Sequence, residues 1–220
     1  MVEYAIGVVS HIDRTAMAAD LSRRARPRFV SPDNGTLGAY GNHELVQRWL
    51  ANEAGWSVVL EDDALPLHDF HHDLEQALEM ASHHESVKVV SLYLGTGYPA
   101  NWQRQATAAA ATDASLILCN RLLHAVGYCV APEIKSELSY WLGARSHGRP
   151  IDLECAMTTW LQAHDYLVAY TNPSLVDHRD TTPVLRHRPG TFSASRKLPR
   201  RAHNTNQRLT WDDNAVIMFR

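Results

Sequence analysis

Three consecutive acids follow a short apolar segment of the chain. Residues 56–60 read Trp-Ser-Val-Val-Leu, and Glu61, Asp62 and Asp63 come directly after them, shortly before Pro66. Carboxylates at the end of a buried strand repel one another and lose hydration, so they need a positively charged partner. Oxygen ligands of this kind suit Mg²⁺ or Mn²⁺. The sequence therefore predicts a divalent metal site here, and the alternative is a solvated turn that caps the next helix.

The direction of the side chains assigns roles within this acidic segment. Because side chains alternate along extended backbone, we expect Glu61 and Asp63 on the same side, as metal ligands. Asp62 is expected to turn away or to bond a ribose hydroxyl. His178 follows the last predicted core strand and is the third candidate ligand, since Mn²⁺ accepts neutral imidazole. The alternative for His178 is a loop histidine paired with a neighbouring aspartate.

Apolar runs alternate with helical patterns between residues 4 and 170, which predicts an α/β fold. Folds of this class bind ligands beyond the carboxyl ends of their strands, where the three acids lie. Residues 101–113 are polar and Ala-rich and are predicted to form a mobile connection, and no further element is predicted beyond residue 180. Strands are predicted at residues 4–10, 26–30, 56–60, 87–94, 115–119, 125–130 and 166–170, and helices at 15–25, 45–50, 70–82, 132–142 and 153–163.

Length and composition are those of a globular protein with one domain. The chain has 220 residues, of which 45% are hydrophobic and 20% are charged. Its formal net charge of −3 gives no general attraction to nucleic acid, so nucleic acid is not an expected partner. No apolar run is long enough to span a bilayer, and residues 1–4 lack the pattern of a signal peptide, so a cytoplasmic location is expected.

Two further features concern the cysteines and the C-terminal part of the chain. The three cysteines, Cys119, Cys129 and Cys155, lie in apolar surroundings and are predicted to be reduced core thiols. Residues 1–180 are expected to form the catalytic domain, and residues 181–220 a basic tail that packs on it or covers it. Arginines in such a tail suit phosphate oxygens, which favours a lid, whereas the alternative is a solvated tail.

Five segments, in order, resemble motifs of one glycosyltransferase family. Leu60–Ala64 reads LEDDA and resembles the metal motif of the family that includes bacterial lipooligosaccharide galactosyltransferases and collagen galactosyltransferases, known as family 25. Gly35–His43 is similar to its G-x-I-G-C-x-x-S-H segment, which lies upstream of the acids. The later segments that resemble the family are Gly127–Val130, Arg149–Asp152 and Pro173–His178. The resemblance covers residues 4–180.

The resemblance implies a GT-A fold, a mixed and mostly parallel sheet flanked by helices, with the metal motif at a strand end. It also implies a metal-dependent glycosyltransferase that uses Mn²⁺ or Mg²⁺ and a nucleotide sugar, most simply a UDP-sugar. The acceptor would be a glycan, a lipid-linked molecule or a protein. By analogy, the nucleotide sugar would be bound by Ser10, His11, Arg14, Asp33, Asn42, His43 and Asp62.

An inverting transfer needs a base that removes the proton from the acceptor hydroxyl. Asp152 is the first candidate and Glu154 the second, because a carboxylate at the start of a helix can face the sugar. The alternative for Asp152 is a helix N-cap, and a retaining enzyme would need no such base. Two other functions remain open, namely a catalytically silent binding module of the same fold and a nucleotidyltransferase. Residues 10–14 lack the Gly-rich loop expected of the latter.

Overall fold

A computed structural model describes residues 2–96, 100–145, 152–179, 181 and 200–219, and these form an α/β fold. Its strands are β1 (Tyr4–His11), β2 (Phe29–Asp33), β3 (Trp56–Glu61), β4 (Ala64–Pro66), β5 (Val87–Ser91), β6 (Leu116–Cys119), β7 (Gly127–Val130), β8 (Leu167–Thr171), β9 (Val176–His178) and β10 (Ala215–Phe219). Its helices are α1 (Thr15–Ala25), α2 (Gly38–Leu50), α3 (Phe70–Ser82), α4 (Ala100–Ala110), α5 (Lys135–Arg145) and α6 (Leu153–Ala163).

Eight of these strands form one central sheet, in the order β10-β6-β8-β5-β7-β3-β1-β2. Strands β2, β1, β3, β5 and β8 run in one direction, and β7, β6 and β10 run in the other. The sheet is therefore mixed and mostly parallel and is flanked by helices, as predicted from the sequence. Among the residues that the structure describes, no helix has the length and hydropathy to cross a bilayer.

The central strands are buried because their sequences are apolar on both faces. Trp56, Val58, Val59 and Leu60 of β3 are all in the core. In β1, Gly7 lets helix α2 approach closely, since a Cβ atom there would lie 2.6 Å from a side-chain carbon of Val46. This close packing of α2 on β1 fixes the position of the polar side chains on the first two turns of α2.

A second sheet has two strands, β4 directly after the three acids and β9 directly before Arg179. Strand β4 pairs antiparallel with β9, and in this register Ala64 lies opposite His178. The preceding residue, Asp63, accepts a backbone hydrogen bond of 2.8 Å at its carbonyl oxygen from Arg179. Two segments that are more than a hundred residues apart in the sequence are thus held side by side at the end of β3.

Two parts of the chain are more regular than their sequence predicted. The expected connection at residues 101–113 contains helix α4, which its many alanines favour through their high helix propensity. Strand β10 lies in the expected tail and pairs parallel with β6, with Val216 opposite Ile117. Arg208 also ties this region to the domain by hydrogen bonds to three backbone carbonyls, those of Asp113, Ala114 and Asn172. Residues 182–199 of the expected tail lie outside the described residues.

Several predicted boundaries are wrong by a few residues. Residues 31–33, which carry turn-type residues, complete strand β2, whereas the predicted strand began at residue 26. Helix α5 begins at Lys135 instead of Pro132, and β5 ends at Ser91. Cys155 is exposed, while the other two cysteines are buried as predicted. Helix α2 ends at Leu50 with Ala51 as its C-cap, and Gly55 lies in the turn that follows, before β3.

Gly55 makes this turn possible, and its replacement should be costly. Its φ of +72° is left-handed, and an added Cβ atom would lie 2.0 Å from the carbonyl oxygen of Glu3. Gly38 has a similar φ of +68° but open space around the added atom. We expect Gly38→Ala to lower the free energy of unfolding by about 1–2 kcal/mol and Gly55→Ala by about 3 kcal/mol or more, as measured by urea unfolding. Equal losses in the two variants would show that the left-handed φ alone, and not the contact with Glu3, accounts for the destabilisation at Gly55.

Candidate functional site

The carboxyl ends of β1, β2 and β3 meet at one edge of the sheet. His11, the last residue of β1, lies opposite Asp33 of β2, and Val9 of β1 lies opposite Glu61 of β3. The backbone N–H of His11 donates a 2.8 Å hydrogen bond to the carboxylate of Asp62. The imidazole Nδ1 of His11 accepts from the backbone of Asp13. This register brings the acids next to the residues that follow β1.

Arg14 provides a positively charged partner for two of the acids. A short 3-10 helix, Ile12–Arg14, follows β1 and ends at this arginine. Its Nη1 atom lies 2.9 Å from Asp62 Oδ1 and 2.6 Å from Asp63 Oδ2. These side chains are only 13%, 6% and 7% exposed, so both ion pairs are largely shielded from solvent.

Asp62 was expected to turn away from the cation or to bond a ribose hydroxyl, and in the structure it shares Arg14 with Asp63. Strand β3 ends at Glu61 and the chain then turns, so side chains do not continue to alternate through the two aspartates. Both aspartates reach the same guanidinium nitrogen, that of Arg14. Because the extended backbone of β3 ends at Glu61, the alternation of side chains along a strand does not predict the directions of Asp62 and Asp63.

Asp63 and His178, two of the predicted metal ligands, are neighbours. His178 Nε2 lies 3.5 Å from Asp63 Oδ2, and both side chains are buried. Asp63 Oδ1 is also buried and has no hydrogen-bond partner among the described residues. Burial and the negative charge of Glu61 raise the pKa of Asp63 to about 7, despite the opposing effect of Arg14. The Asp63 carboxylate is therefore short of positive charge and of hydrogen bonds.

Glu61, the third predicted ligand, has a separate partner. Its Oε1 atom lies 3.1 Å from Nε2 of His43, whose Nδ1 lies 3.3 Å from the hydroxyl of Tyr128. Burial acts to raise the pKa of Glu61, but the hydrogen bond and charge of His43, with the charges of His178 and Arg200, lower it. Glu61 is thus held as a carboxylate by a buried imidazole, beside the other two acids.

Tyr128 and Gln47 belong to this buried network and were not predicted from the sequence. Burial raises the pKa of the Tyr128 phenol well above its ordinary range, and the charge of Glu61 adds to the shift, whereas the nearby side chain of Gln47 opposes it. Tyr128 lies on β7, next to β3, and Gln47 lies one turn after His43 on α2. The signal available in the sequence was the Gly127–Val130 segment, together with the spacing of four residues between His43 and Gln47.

Two predicted nucleotide-binding residues, Asp33 and Asn42, bond to the protein backbone. The carboxylate of Asp33 accepts from the N–H groups of Leu37 and Gly38, at 3.1 and 3.0 Å, and so satisfies the start of helix α2. Asn42 donates through Nδ2 to the carbonyl oxygens of Ser10 and Ser31, at 2.9 and 3.2 Å. These contacts join α2 to the ends of β1 and β2, which positions His43 and the acids.

The two candidate bases differ in their environment. Asp152 is exposed and occupies the N-cap position of α6, but its side chain makes no capping hydrogen bond. Glu154 is half-buried in the first turn of the same helix. Burial raises the pKa of Glu154, its own backbone N–H opposes this shift, and the charge of Glu61 adds to it. Glu154 is therefore the candidate base whose pKa is raised by the charge of Glu61.

Part of the expected tail also reaches the site. Arg201 donates a 2.6 Å hydrogen bond to the carbonyl oxygen of His178, and Ala202 donates to the carboxylate of Asp177. The charge of Arg200 also lowers the pKa of Glu61. The segment that follows residue 199 thus runs beside β9 and contributes positive charge to the site.

The fit of these residues to a divalent cation rests on Asp63 and His178. Within the described ranges, no group of three or more His, Cys, Asp or Glu side chains has the arrangement of a complete metal site. Asp63 nevertheless presents one buried oxygen without a partner among the described residues, its other oxygen lies 3.5 Å from an imidazole nitrogen of His178, and Glu61 and Asp62 add negative charge nearby. Such donors fit Mn²⁺ or Mg²⁺ if phosphate or water completes the coordination.

A cavity of about 590 Å³ lies elsewhere, at the opposite end of the sheet. Residues at the starts of β5 and β8 and after β6 line it, and none of them is a predicted site residue. The acids, Arg14 and His178 therefore form a site that is separate from this cavity.

No protein-family model matches the chain, and it has no significant match among curated proteins.

Proposed function

We propose that the protein is a metal-dependent glycosyltransferase that transfers a sugar from a nucleotide sugar, most simply a UDP-sugar. The acceptor would be a glycan, a lipid-linked molecule or a protein. The proposal takes the mixed α/β fold as a GT-A fold and the acids as its metal motif. The resemblance of the LEDDA segment and four other segments to one glycosyltransferase family supports this view.

The observation that carries the proposal is the meeting of Asp63 with His178 at the carboxyl end of β3. These residues are far apart in the sequence, and the pairing of β4 with β9 holds them 3.5 Å apart. Keeping a carboxylate with a raised pKa in a buried position is costly unless a ligand uses it, and such groups are concentrated at functional sites. The edge of the sheet where they lie is also where α/β folds bind nucleotides.

In this proposal, Asp63 and His178 hold the cation, and Glu61 assists with its charge. When bound, the cation neutralises the negative charge that develops on the leaving diphosphate, a contribution worth several kcal/mol in metal-assisted reactions. Arg200, whose charge already acts on Glu61, supplies further positive charge on the same side. His43 fixes the orientation of Glu61 through its 3.1 Å contact, because Tyr128 holds the other imidazole nitrogen.

The acceptor step needs a base, and Glu154 is better placed for it than Asp152. The acceptor oxygen forms a bond to the anomeric carbon, the bond from that carbon to the diphosphate breaks, and the hydroxyl proton passes to the Glu154 carboxylate. The nucleoside diphosphate leaves with the electron pair of the broken bond. A base in these surroundings binds a proton more strongly than an exposed carboxylate, since burial raises its pKa.

Thermal unfolding with UDP and Mn²⁺ tests the donor part of the proposal. We expect UDP to stabilise the protein when Mn²⁺ is present and to have much less effect without it, because Asp63 and His178 would hold a cation whose charge offsets that of the diphosphate. UDP at about 100 times its Kd should add about 2.7 kcal/mol to the free energy of unfolding. GDP tests whether the protein prefers the nucleobase uracil. Glucose 1-phosphate tests whether a sugar phosphate without a nucleoside is enough.

Turnover then separates the proposed enzyme from the other candidates. Release of UDP from a UDP-sugar in the presence of Mn²⁺ supports a transferase, whereas stabilisation by UDP without turnover of any UDP-sugar would favour a silent binding module. Formation of pyrophosphate from a nucleoside triphosphate and a sugar phosphate would favour a nucleotidyltransferase. If neither UDP nor GDP stabilises the protein with Mn²⁺, the proposal is wrong.

A further inference from the structure

We infer that Arg14 is an internal counter-ion that competes with the divalent cation for Asp63 and must release Asp63 Oδ2 before the cation can bind. The inference rests on the proposed metal site and adds a residue that controls its occupancy. It assigns Arg14 two successive states, one bonded to both aspartates and one displaced from Asp63.

The geometry supports competition because the Asp63 oxygen that faces His178 is the one that Arg14 bonds, and the other oxygen is the one without a partner among the described residues. Asp63 Oδ2 lies 2.6 Å from Arg14 Nη1 and 3.5 Å from His178 Nε2. A cation held between Asp63 and His178 would therefore approach the oxygen that the guanidinium now occupies. Mg²⁺ binds oxygen ligands at about 2.0–2.1 Å, and a guanidinium at hydrogen-bond distance from the same oxygen would repel such a cation strongly.

The charge balance explains why the exchange can occur. Arg14 brings one positive charge to Asp62 and Asp63, so these two carboxylates, when ionised, carry one negative charge more than the guanidinium. A divalent cation brings two charges to the same place and attracts the excess more strongly. After release from Asp63, Arg14 keeps its 2.9 Å bond to Asp62, which is oriented separately by the backbone N–H of His11. Release of Asp63 therefore does not require Arg14 to leave Asp62.

The proposal also accounts for the burial of Arg14. Without a metal, three neighbouring carboxylates with little solvent would repel one another and destabilise the fold. The guanidinium of Arg14 lowers this repulsion while the cation is absent. The same contact must weaken metal binding, because the cation can bind Asp63 only if the ion pair between Arg14 and Asp63 is broken.

The test measures Mn²⁺ affinity directly, without a donor and without turnover. The free Mn²⁺ ion is titrated by electron paramagnetic resonance with the wild-type protein, Arg14→Gln and Arg14→Lys. Removing the competing charge should tighten Mn²⁺ binding by about tenfold or more in Arg14→Gln. Arg14→Lys keeps the charge but not the planar fork, so its affinity should lie between the two. Arg14→Gln should also unfold at lower temperature without Mn²⁺ and gain more from Mn²⁺ than the wild type.

Arg23→Gln is the matched control, because Arg23 lies on α1, is exposed and pairs with Asp20 instead of the three acids. It changes the net charge equally and should leave Mn²⁺ affinity unchanged. Unchanged or weaker Mn²⁺ binding in a folded Arg14→Gln protein would overturn the competition but leave the proposed metal site standing. Absence of Mn²⁺ binding in all four proteins would overturn the competition and the metal role together, whereas the UDP experiments test the donor separately.

Discussion

Asp63→Asn should lower Mn²⁺-dependent turnover of the UDP-sugar by about 10³-fold or more, because it removes the charged ligand at the centre of the proposed site. The amide keeps the size of the side chain but cannot offer an anionic oxygen beside His178. The measurement is the rate of UDP release with Mn²⁺, together with Mn²⁺ affinity. Asp69→Asn, at an exposed position before α3 where the side chain makes no capping hydrogen bond, is the control. Turnover and Mn²⁺ affinity equal to wild type would exclude Asp63 as a metal ligand.

The same substitution should stabilise the protein in the absence of metal. The pKa of Asp63 is raised to about 7 by burial and by Glu61, whereas an unfolded Asp titrates near 4. The native state therefore binds more protons than the unfolded state between about pH 4 and pH 7, and stability falls as the pH rises through this window. Asp63→Asn removes this loss, so above pH 7 it should raise the free energy of unfolding by about 1–3 kcal/mol.

Urea unfolding at pH 5 and pH 8, with a chelator present, measures this effect. The wild-type protein should be less stable at pH 8 than at pH 5 by an amount that is smaller in Asp63→Asn. The control Asp69→Asn should keep the wild-type difference. A substitution that removes activity and adds stability is the pattern expected where a functional group is held in an unfavourable place. An identical pH dependence in all three proteins would show that the burial of Asp63 carries no proton-linked cost.

Much of the architecture could be predicted because it depends on local patterns. The apolar runs of β1 and β3 have no polar face, so they had to be central strands of a covered sheet. The place of the acids at the end of β3 follows from the same pattern, since the polar residues begin where burial ends. The contact between Asp63 and His178 joins distant parts of the sequence. It could be predicted because polar residues that follow buried parallel strands lie at the same edge of a sheet.

The missed elements and contacts depend on tertiary packing. Helix α4 has mostly alanine on its buried side, with Ala106 and Ala109 in the core, so it lacks the large apolar stripe that marks a helix in a sequence. Strand β10 is a short run after a polar region and becomes ordered by pairing with β6. The bond of Arg14 to Asp62 and Asp63 joins positions that are 48 and 49 residues apart, and no local pattern indicates such a partner.

The order of the two candidate bases is the second point that tertiary structure changes. The sequence favoured Asp152, because it stands directly before the helix and belongs to a segment that resembles a family motif. Asp152 is exposed, whereas Glu154 lies inward and its pKa responds to the charges of Glu61 and His43. A base must face the acceptor hydroxyl next to the donor site, and the inward carboxylate meets that need better.

Glu154→Gln should therefore lower the rate of transfer by about 10²–10⁴-fold, while Asp152→Asn should change it by less than about tenfold. Both substitutions keep side-chain size and remove one negative charge from the same helix turn, so each controls for the other. UDP with Mn²⁺ should stabilise both variants as it stabilises the wild type, since a base acts after the donor is bound. A larger loss in Asp152→Asn would restore the order given by the sequence. Full activity in both variants would exclude a base on this helix and favour a retaining transfer, in which neither carboxylate needs to accept the proton.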